Sequence, residues 1–200
     1  MGKHWDTGRT EAFSDGVFAI AITLLVLDIR VPVSEFRDLW SGIAHAWPAY
    51  LGYVTSFLTI GGIWLAHHTA FRRLRFANAR VMQVNLALLM AVAFLPFPTR
   101  LMAEAIRDVD AERAAVIFYG GSLLVISLLL AALWATAARP RRLFQPEVTQ
   151  QEIDALRRAS RPNVGFYAGV TALAILAPRV AAFGYLLIAV AAVLRARGDE

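Results

Sequence analysis

The sequence predicts an all-α integral membrane protein with six transmembrane helices per subunit, and three observations carry that prediction. Hydrophobic residues make up 58% of the 200 residues and charged ones only 18%, with a mean hydropathy of +0.54. A soluble domain keeps about 25% charged and 45–50% apolar residues. The apolar residues fall in blocks near 12–30, 41–66, 80–102, 113–137, 162–177 and 180–195, most of them close to the roughly 20 residues that cross a bilayer. The blocks lack the alternating polarity of barrel strands, and in lipid only helices and closed barrels satisfy the backbone.

The elements follow in order. The polar segment Met1–Glu11 precedes the first block, and Asp28, Arg30 and Pro32 follow it. No small-residue cleavage site follows, so the block reads as a retained span rather than a signal peptide. Trp5, Trp40 and Trp47 suit the membrane–water interface. In the third block, Pro96 and Pro98 should kink or end the helix. Gly61-Gly62 and Gly120-Gly121 are small residues that permit close helix approach. The longest polar stretch, about 138–161, reads as a solvated linker, although Gln150 to Arg158 could form a short amphipathic helix. The last two blocks are short. One continuous helix would place Arg179 near mid-membrane, which is costly, so Pro178-Arg179 marks a tight hairpin between two helices. With no duplicated half and no low-complexity run, residues 1–200 form a single transmembrane domain.

Charge sets the orientation. If the N-terminus is cytosolic, the inner side carries Lys3, Arg9, Arg72, Arg73, Arg75, Arg80, Arg139, Arg141, Arg142, Arg157, Arg158, Arg161, Arg195 and Arg197, which is fourteen of the twenty basic residues. The outer side carries Arg30, Arg37, Arg100, Arg107, Arg113 and Arg179. This bias favours both termini inside. It also accounts for the high pI without nucleic acid as a partner. With no cysteine, disulfides and thiolate metal sites are excluded.

The first helix carries the most information. Asp15 falls at its cytosolic end, within the first turns, where the helix dipole favours a carboxylate. With Ser14 beside it, this also reads as an ordinary N-terminal cap. Ile20, Thr23, Leu24, Leu27 and Val31 share one face at helical spacing, which by periodicity alone suits lipid or packing.

The run Arg9-x-x-x-Phe13-Ser14-Asp15, followed by Ala19-Ile20 and Thr23-Leu24-Leu25-Val26-Leu27, resembles the signature of the transmembrane protein 175 family, the endolysosomal potassium channels and their prokaryotic relatives. Gly62-Ile63-Trp64-Leu65-Ala66-His67-His68 is similar to the end of the family's second helix. Asn85-Leu86 and Phe94-Leu95-Pro96-Phe97-Pro98-Thr99 resemble its third. The likeness covers the first half of the chain; the rest matches in hydropathy alone.

The resemblance implies a homotetramer of six-helix subunits in a prokaryotic plasma membrane, with the first helix lining a central pore. Animal members carry two such units per chain. By motif position Ile20, Leu24 and Leu27 become the pore constriction and gate, and Thr23 a polar ring near it. The chain has no Thr-Val-Gly-Tyr-Gly filter loop. Potassium preference would then rest on pore width and on oxygens such as the Thr23 hydroxyl, and would be moderate. Thr23 could instead bond its own backbone at Ala19. Asp15 would bond Trp64, His67 or His68, or Asn85. With Arg9, Phe13 and Ser14, these residues would clamp the pore helix at its cytosolic end. The activity implied is passive potassium flow, with no cofactor beyond the permeant ion.

Other readings are weaker. His67 and His68 are adjacent, so one helix face cannot aim both at one metal, and no His-Glu-x-x-His spacing exists. His4 and His45 are isolated. No Gly-x-Ser-x-Gly elbow, phosphate-binding glycine loop or intramembrane carboxylate pair suggests an enzyme. A secondary transporter needs polar residues or broken helices at mid-membrane, where Thr23 is the main polar residue. A non-conducting structural membrane protein is the remaining alternative.

Overall fold

The computed structural model describes residues 5–106, 108–138, 143–159 and 161–196. Of the charges used above for orientation, Lys3, Arg107, Arg139, Arg141, Arg142 and Arg197 lie outside the described residues, as does His4.

Within them the chain is almost wholly helical. A two-residue strand, β1 (Trp5–Asp6), leads into α1 (Thr7–Leu24), which tightens into a 3₁₀ turn over Leu25–Asp28. A second 3₁₀ segment, Val33–Asp38, leads to the short α2 (Leu39–His45) and the long α3 (Trp47–Phe71). Strand β2 (Phe76–Ala77) precedes α4 (Ala79–Phe94), α5 (Pro96–Ala105) and α6 (Val109–Ala137). The amphipathic α7 (Gln150–Ala159) precedes α8 (Arg161–Leu173) and α9 (Pro178–Ala196).

Four helical stretches are long and apolar enough to cross a bilayer: Thr7–Asp28, Trp47–Phe71, Ala79–Ala105 and Ala111–Ala137. Two shorter apolar helices, Val164–Leu173 and Pro178–Leu194, complete the bundle. With the relatives described below, this makes the chain a multi-pass membrane protein.

The differences from the sequence reading have local causes. α1 starts five residues earlier than the apolar block because the Asp6 carboxylate caps it, accepting from the Gly8 N–H at 3.0 Å. Asp15 is therefore well inside the helix and is not its cap. The 41–66 block divides at Ala46, because Pro48 sits in the first turn of α3, where its missing N–H costs nothing. The 80–102 block is interrupted between Phe94 and Pro96, as the proline chemistry requires.

The largest correction is α7, a helix where a solvated linker was the preferred reading. The Thr149 backbone N–H and hydroxyl both donate to Glu152, at 2.7 and 2.8 Å. The Glu152 N–H returns a bond to that hydroxyl at 3.3 Å. This reciprocal cap holds the Glu152 carboxyl below the usual carboxylate range. Ile153, 1% exposed, anchors the helix to the core.

The bundle has two distinct ends. At the N-terminal end, Trp5 and Asp6 pair antiparallel with Ala77 and Phe76. The same α3–α4 turn is held from the other side by residues 143–145. The Arg75 N–H donates to the Leu143 carbonyl at 2.7 Å, and the Gln145 N–H to that of Arg73 at 3.0 Å. At the opposite end Arg179, on the first turn of α9, pairs with the buried Glu112 of α6 at 3.0 Å. This holds the α8–α9 hairpin against the start of α6.

Between the ends, α3 packs on α9, α5 and α1, while α6 packs on α4, α8 and α5. A buried polar seam crosses these contacts. The Thr99 hydroxyl donates to the Leu95 carbonyl, so Ser56 donates to Thr99 at 2.7 Å and Tyr119 donates to Ser56 at 2.9 Å. The Tyr185 hydroxyl donates to Thr171 at 3.2 Å, and its ring meets that of Tyr119 edge-on at 5.4 Å.

Only one glycine of the two pairs makes the very close approach. A Cβ on Gly120 would overlap the Tyr185 hydroxyl and lie 2.5 Å from the Thr171 hydroxyl, whereas one on Gly121 would meet nothing within 4 Å. Gly120→Ala should therefore lower the thermal unfolding midpoint, by the roughly 1–3 kcal/mol that overpacking costs. Gly121→Ala should be neutral, or stabilising by up to about 1 kcal/mol through helix propensity. Melting curves of the two purified variants check both signs.

Candidate functional site

α1 has two faces with opposite fates. Thr10, Ser14, Phe18, Ala21 and Leu25 are buried against α3 and α4. Arg9, Phe13, Ile20, Thr23, Leu24 and Leu27 are exposed, with Phe13 at 58%, Ile20 at 61% and Leu27 at 60%. The three-and-four spacing of the exposed set is that of a single helix stripe. The chain therefore turns large apolar side chains of its first helix away from its own core.

The buried face is fixed by hydrogen bonds rather than by apolar packing alone. Trp64 Nε1 on α3 donates to Asp15 Oδ1 at 2.8 Å. Asn85 Nδ2 on α4 donates to Ser14 Oγ at 3.1 Å, and Ser14 in turn donates to the Thr10 carbonyl at 2.9 Å. Asn85 Oδ1 faces His67 Nε2 at 2.8 Å. Since the Asn85 amide donates to Ser14, its oxygen accepts, and His67 carries its proton on Nε2. Nδ1 is left buried without a partner. The imidazole is held by rings: Phe71 stacks on it at 4.3 Å and Phe18 meets its edge at 5.4 Å.

His68 takes a different part. Its Nδ1 lies 2.7 Å from Glu11 Oε1, and its ring stacks on Trp64 at 5.6 Å. The clamp is thus two adjoining sets: Asp15, Trp64, His68 and Glu11 on one side, and Ser14, Asn85 and His67 on the other. Asp15 contacts Trp64 directly; Asn85 reaches its neighbour Ser14 instead. Arg9 and Phe13 belong to the exposed stripe.

Thr10, Glu11, Phe18 and Phe71 were not among the site residues read from the sequence. Glu11 had a signal, since it precedes Asp15 by four residues and so shares its face. Thr10 precedes Ser14 by the same interval.

Thr23 bonds its own helix, but to the Ile20 carbonyl at 2.9 Å rather than to Ala19. That bond commits the hydroxyl proton to the backbone and leaves oxygen lone pairs on the exposed face. Beyond Leu27, a cavity of about 310 Å³ opens at the opposite end, lined by Asp28, Glu35, His45, Tyr53, Arg100 and Glu104 among others. His45 is not isolated there, as its Nδ1 lies 3.6 Å from Glu35. Among the described residues no group of three His, Cys, Asp or Glu side chains is arranged to hold a metal ion.

The Asn85 side chain bonds to both α1 and α3. Asn85→Leu should keep the branched heavy-atom shape and remove both bonds, leaving His67 with no hydrogen bond among the described residues. A loss of about 1–3 kcal/mol is expected for each buried group left unpaired. Unfolding midpoints compared with those of Leu86→Ala, an exposed neighbour, measure it; equal effects would remove the clamp.

Comparison with known proteins places this geometry. The profile of the family described as "Endosomal/lysosomal potassium channel TMEM175" matches residues 9–96, which contain every clamp and stripe residue above. A potassium channel of Streptomyces collinus is 40% identical over 184 residues, covering 90% of this chain and 89% of that protein. A potassium channel of Chamaesiphon minutus is 41% identical over 174 residues, covering 86% and 85%. The human endosomal/lysosomal proton channel TMEM175 is 33% identical over 154 residues, 72% of this chain but 30% of that longer protein. The crystal structure of the lysosomal potassium-selective channel TMEM175 homolog from Chamaesiphon minutus superposes with a TM-score of 0.86 at 38% identity, covering 95% of this chain and 97% of that one. A variant of the potassium channel MtTMEM175, at 19% identity and a TM-score of 0.65, shares the fold. These relatives are channels and not enzymes. The chain belongs to the TMEM175 family, in the single-repeat form of its bacterial relatives.

Proposed function

We propose that the chain is one subunit of a homotetrameric, moderately potassium-selective cation channel, with α1 from each copy lining a central pore. The observation that carries this is the division of α1. A polar clamp pins one face to the subunit, while Phe13, Ile20, Leu24 and Leu27 face outward. A pore helix needs that division. Relatives named as potassium channels, alike over nearly their whole length, support the reading.

The same reading gives six crossings. The α3–α4 turn and residues 143–145 meet at the N-terminal end, and the start of α9 meets the start of α6 at the other. α8 has 13 residues, which at 1.5 Å per residue is about 20 Å, short of a hydrocarbon core of about 30 Å. It packs against α6 and α9. Both termini are then on one side, which the arginine bias assigns to the cytosol.

Conduction through such a pore is passive. Ile20 and Leu24 occupy the last turns of α1 and Leu27 the 3₁₀ turn that follows, and rings of them narrow and dewet the path, which gates it without a moving lid. Side chains of this kind cannot replace hydration oxygens. Selectivity therefore falls to width and to Thr23, whose lone pairs face the stripe. No re-entrant carbonyl filter is needed, and preference for potassium over sodium is correspondingly moderate.

In liposomes loaded with a potassium gradient, the purified protein should pass potassium faster than sodium. Ile20→Ala or Leu27→Ala should widen the ring and raise flux several-fold. Phe57→Ala, at an exposed site on α3, should not. Unchanged flux in both folded stripe variants would show that α1 does not line the path.

A further inference from the structure

Arginines at the two ends of the bundle are used differently. At the end opposite the N-terminus three of them are spent on the protein, while Arg37 and Arg113 are exposed. Arg30 donates to the Leu27 carbonyl at 3.1 Å, Arg100 pairs with Glu104 at 2.8 Å, and Arg179 pairs with Glu112 at 3.0 Å. At the N-terminal end Arg72, Arg75 and Arg80 are exposed, and none makes an ion pair among the described residues. The Arg75 guanidinium lies over the Phe76 ring, 5.0 Å from its centroid, an arrangement that leaves its N–H edges free.

Position adds a second, independent indication. Arg72 is the C-cap of α3 and Arg80 the second residue of α4. α3 is bilayer-length, as is the stretch that α4 begins, so these side chains sit at headgroup depth. Arg80 and Gln83 are exposed at the start of α4, ahead of an exposed apolar stripe through Leu86, Met90, Phe94 and on to Phe97, each 48–72% exposed. An apolar stripe finished by a cation is the profile of a lipid, with acyl chains along the helix and phosphate at the arginine.

We propose that Arg72, Arg75 and Arg80 form a binding surface for anionic lipid headgroups, and that bound lipid steadies the start of α1. Guanidinium forks match a phosphodiester with charge-assisted hydrogen bonds. The connection to α1 is short. Phe76 and Ala77, beside Arg75, pair with Asp6 and Trp5, and the Thr7 hydroxyl donates to the Leu74 carbonyl at 3.4 Å. A headgroup that holds this turn restrains the residues at which the helix begins.

The test reads lipid directly, so it stands whether or not α1 conducts. The full chain is extracted from vesicles of phosphatidylglycerol and phosphatidylcholine, and the retained lipids are counted by native mass spectrometry. The wild type should prefer phosphatidylglycerol, which should also raise its thermal midpoint. In Arg72→Gln/Arg75→Gln/Arg80→Gln both effects should vanish, with the preference falling about fivefold per arginine, the fold-change belonging to roughly 1 kcal/mol per basic residue at an anionic surface. Arg37→Gln, an exposed arginine at the other end, should retain both. If the triple variant does not fold, Arg80→Gln alone should show the smaller shift. Equal preference in wild type and variant overturns the proposal. So does a preference abolished by millimolar inorganic phosphate, which would mark the surface as a site for the free ion.

Discussion

The hydrogen bonds from Trp64 to Asp15 and from Asn85 to Ser14 are the constraint on which the rest depends. In a bilayer, apolar packing alone discriminates poorly between the faces of a helix, because lipid tails are as apolar as leucine side chains. α1 offers Leu, Ile, Phe and Val on most of its circumference, so hydrophobicity alone does not say which side turns inward. The polar residues do. Asp15 and Ser14 project toward α3 and α4 and find partners there, and once they are held the angular position of every later residue follows. Ile20, Leu24 and Leu27 are outward because Ser14 and Asp15 are inward. A change at the clamp is thus felt at the far end of the helix without any contact between the two.

A second constraint keeps the clamp's foundation rigid. α3 carries Trp64, His67 and His68 near one end and Ser56 and Thr59 further back. The chain from Tyr119 through Ser56 to Thr99 ends on the Leu95 carbonyl. That carbonyl belongs to the residue where Pro96 interrupts the third apolar segment. The Leu95 carbonyl also accepts the Thr99 N–H at 3.1 Å, so the hydroxyl adds a second bond where α5 begins. α3 is therefore tied to α5 and α6 by polar bonds of its own, and α1 is clamped to a helix that does not itself slide.

How much of this the sequence disclosed depends on the kind of signal. The apolar blocks, the interruption near Pro96 and the hairpin at Pro178 were legible, because each rests on a local rule of composition or proline chemistry. The family signature named Ser14, Asp15, Trp64, His67, His68 and Asn85, but together with Arg9 and Phe13, which lie on the exposed stripe, and without Glu11. Their pairing was not legible, because Asp15 could reach Trp64, His67 or His68, or Asn85 until helix rotation was known. Asp15 was read as lying near a helix start because the apolar block begins at residue 12. The true start is set by Asp6, a cap six residues ahead of that block. α7 was missed for a similar reason: its polar composition suited a linker, and its stability comes from the Thr149–Glu152 cap and the single buried Ile153. Gly120 could not be told from Gly121 by sequence at all, since only the position of Tyr185 separates them.

The two halves of α1 work under opposite requirements, and the sequence assigns them different chemistry. Near the clamp the helix must be unique in position, and it spends charged and hydroxyl groups that would be costly if unpaired in lipid. Beyond Phe18 it has no charged residue until Asp28, and its one exposed polar group, Thr23, returns its proton to the backbone. An apolar wall admits a hydrated ion only where it is wide enough to stay wet. Such a wall controls passage by diameter, and diameter is set by helix position. In the proposed pore the polar clamp and the apolar stripe would act as one device, with the specific bonds away from the path and the path itself nearly free of groups that could bind an ion and hold it.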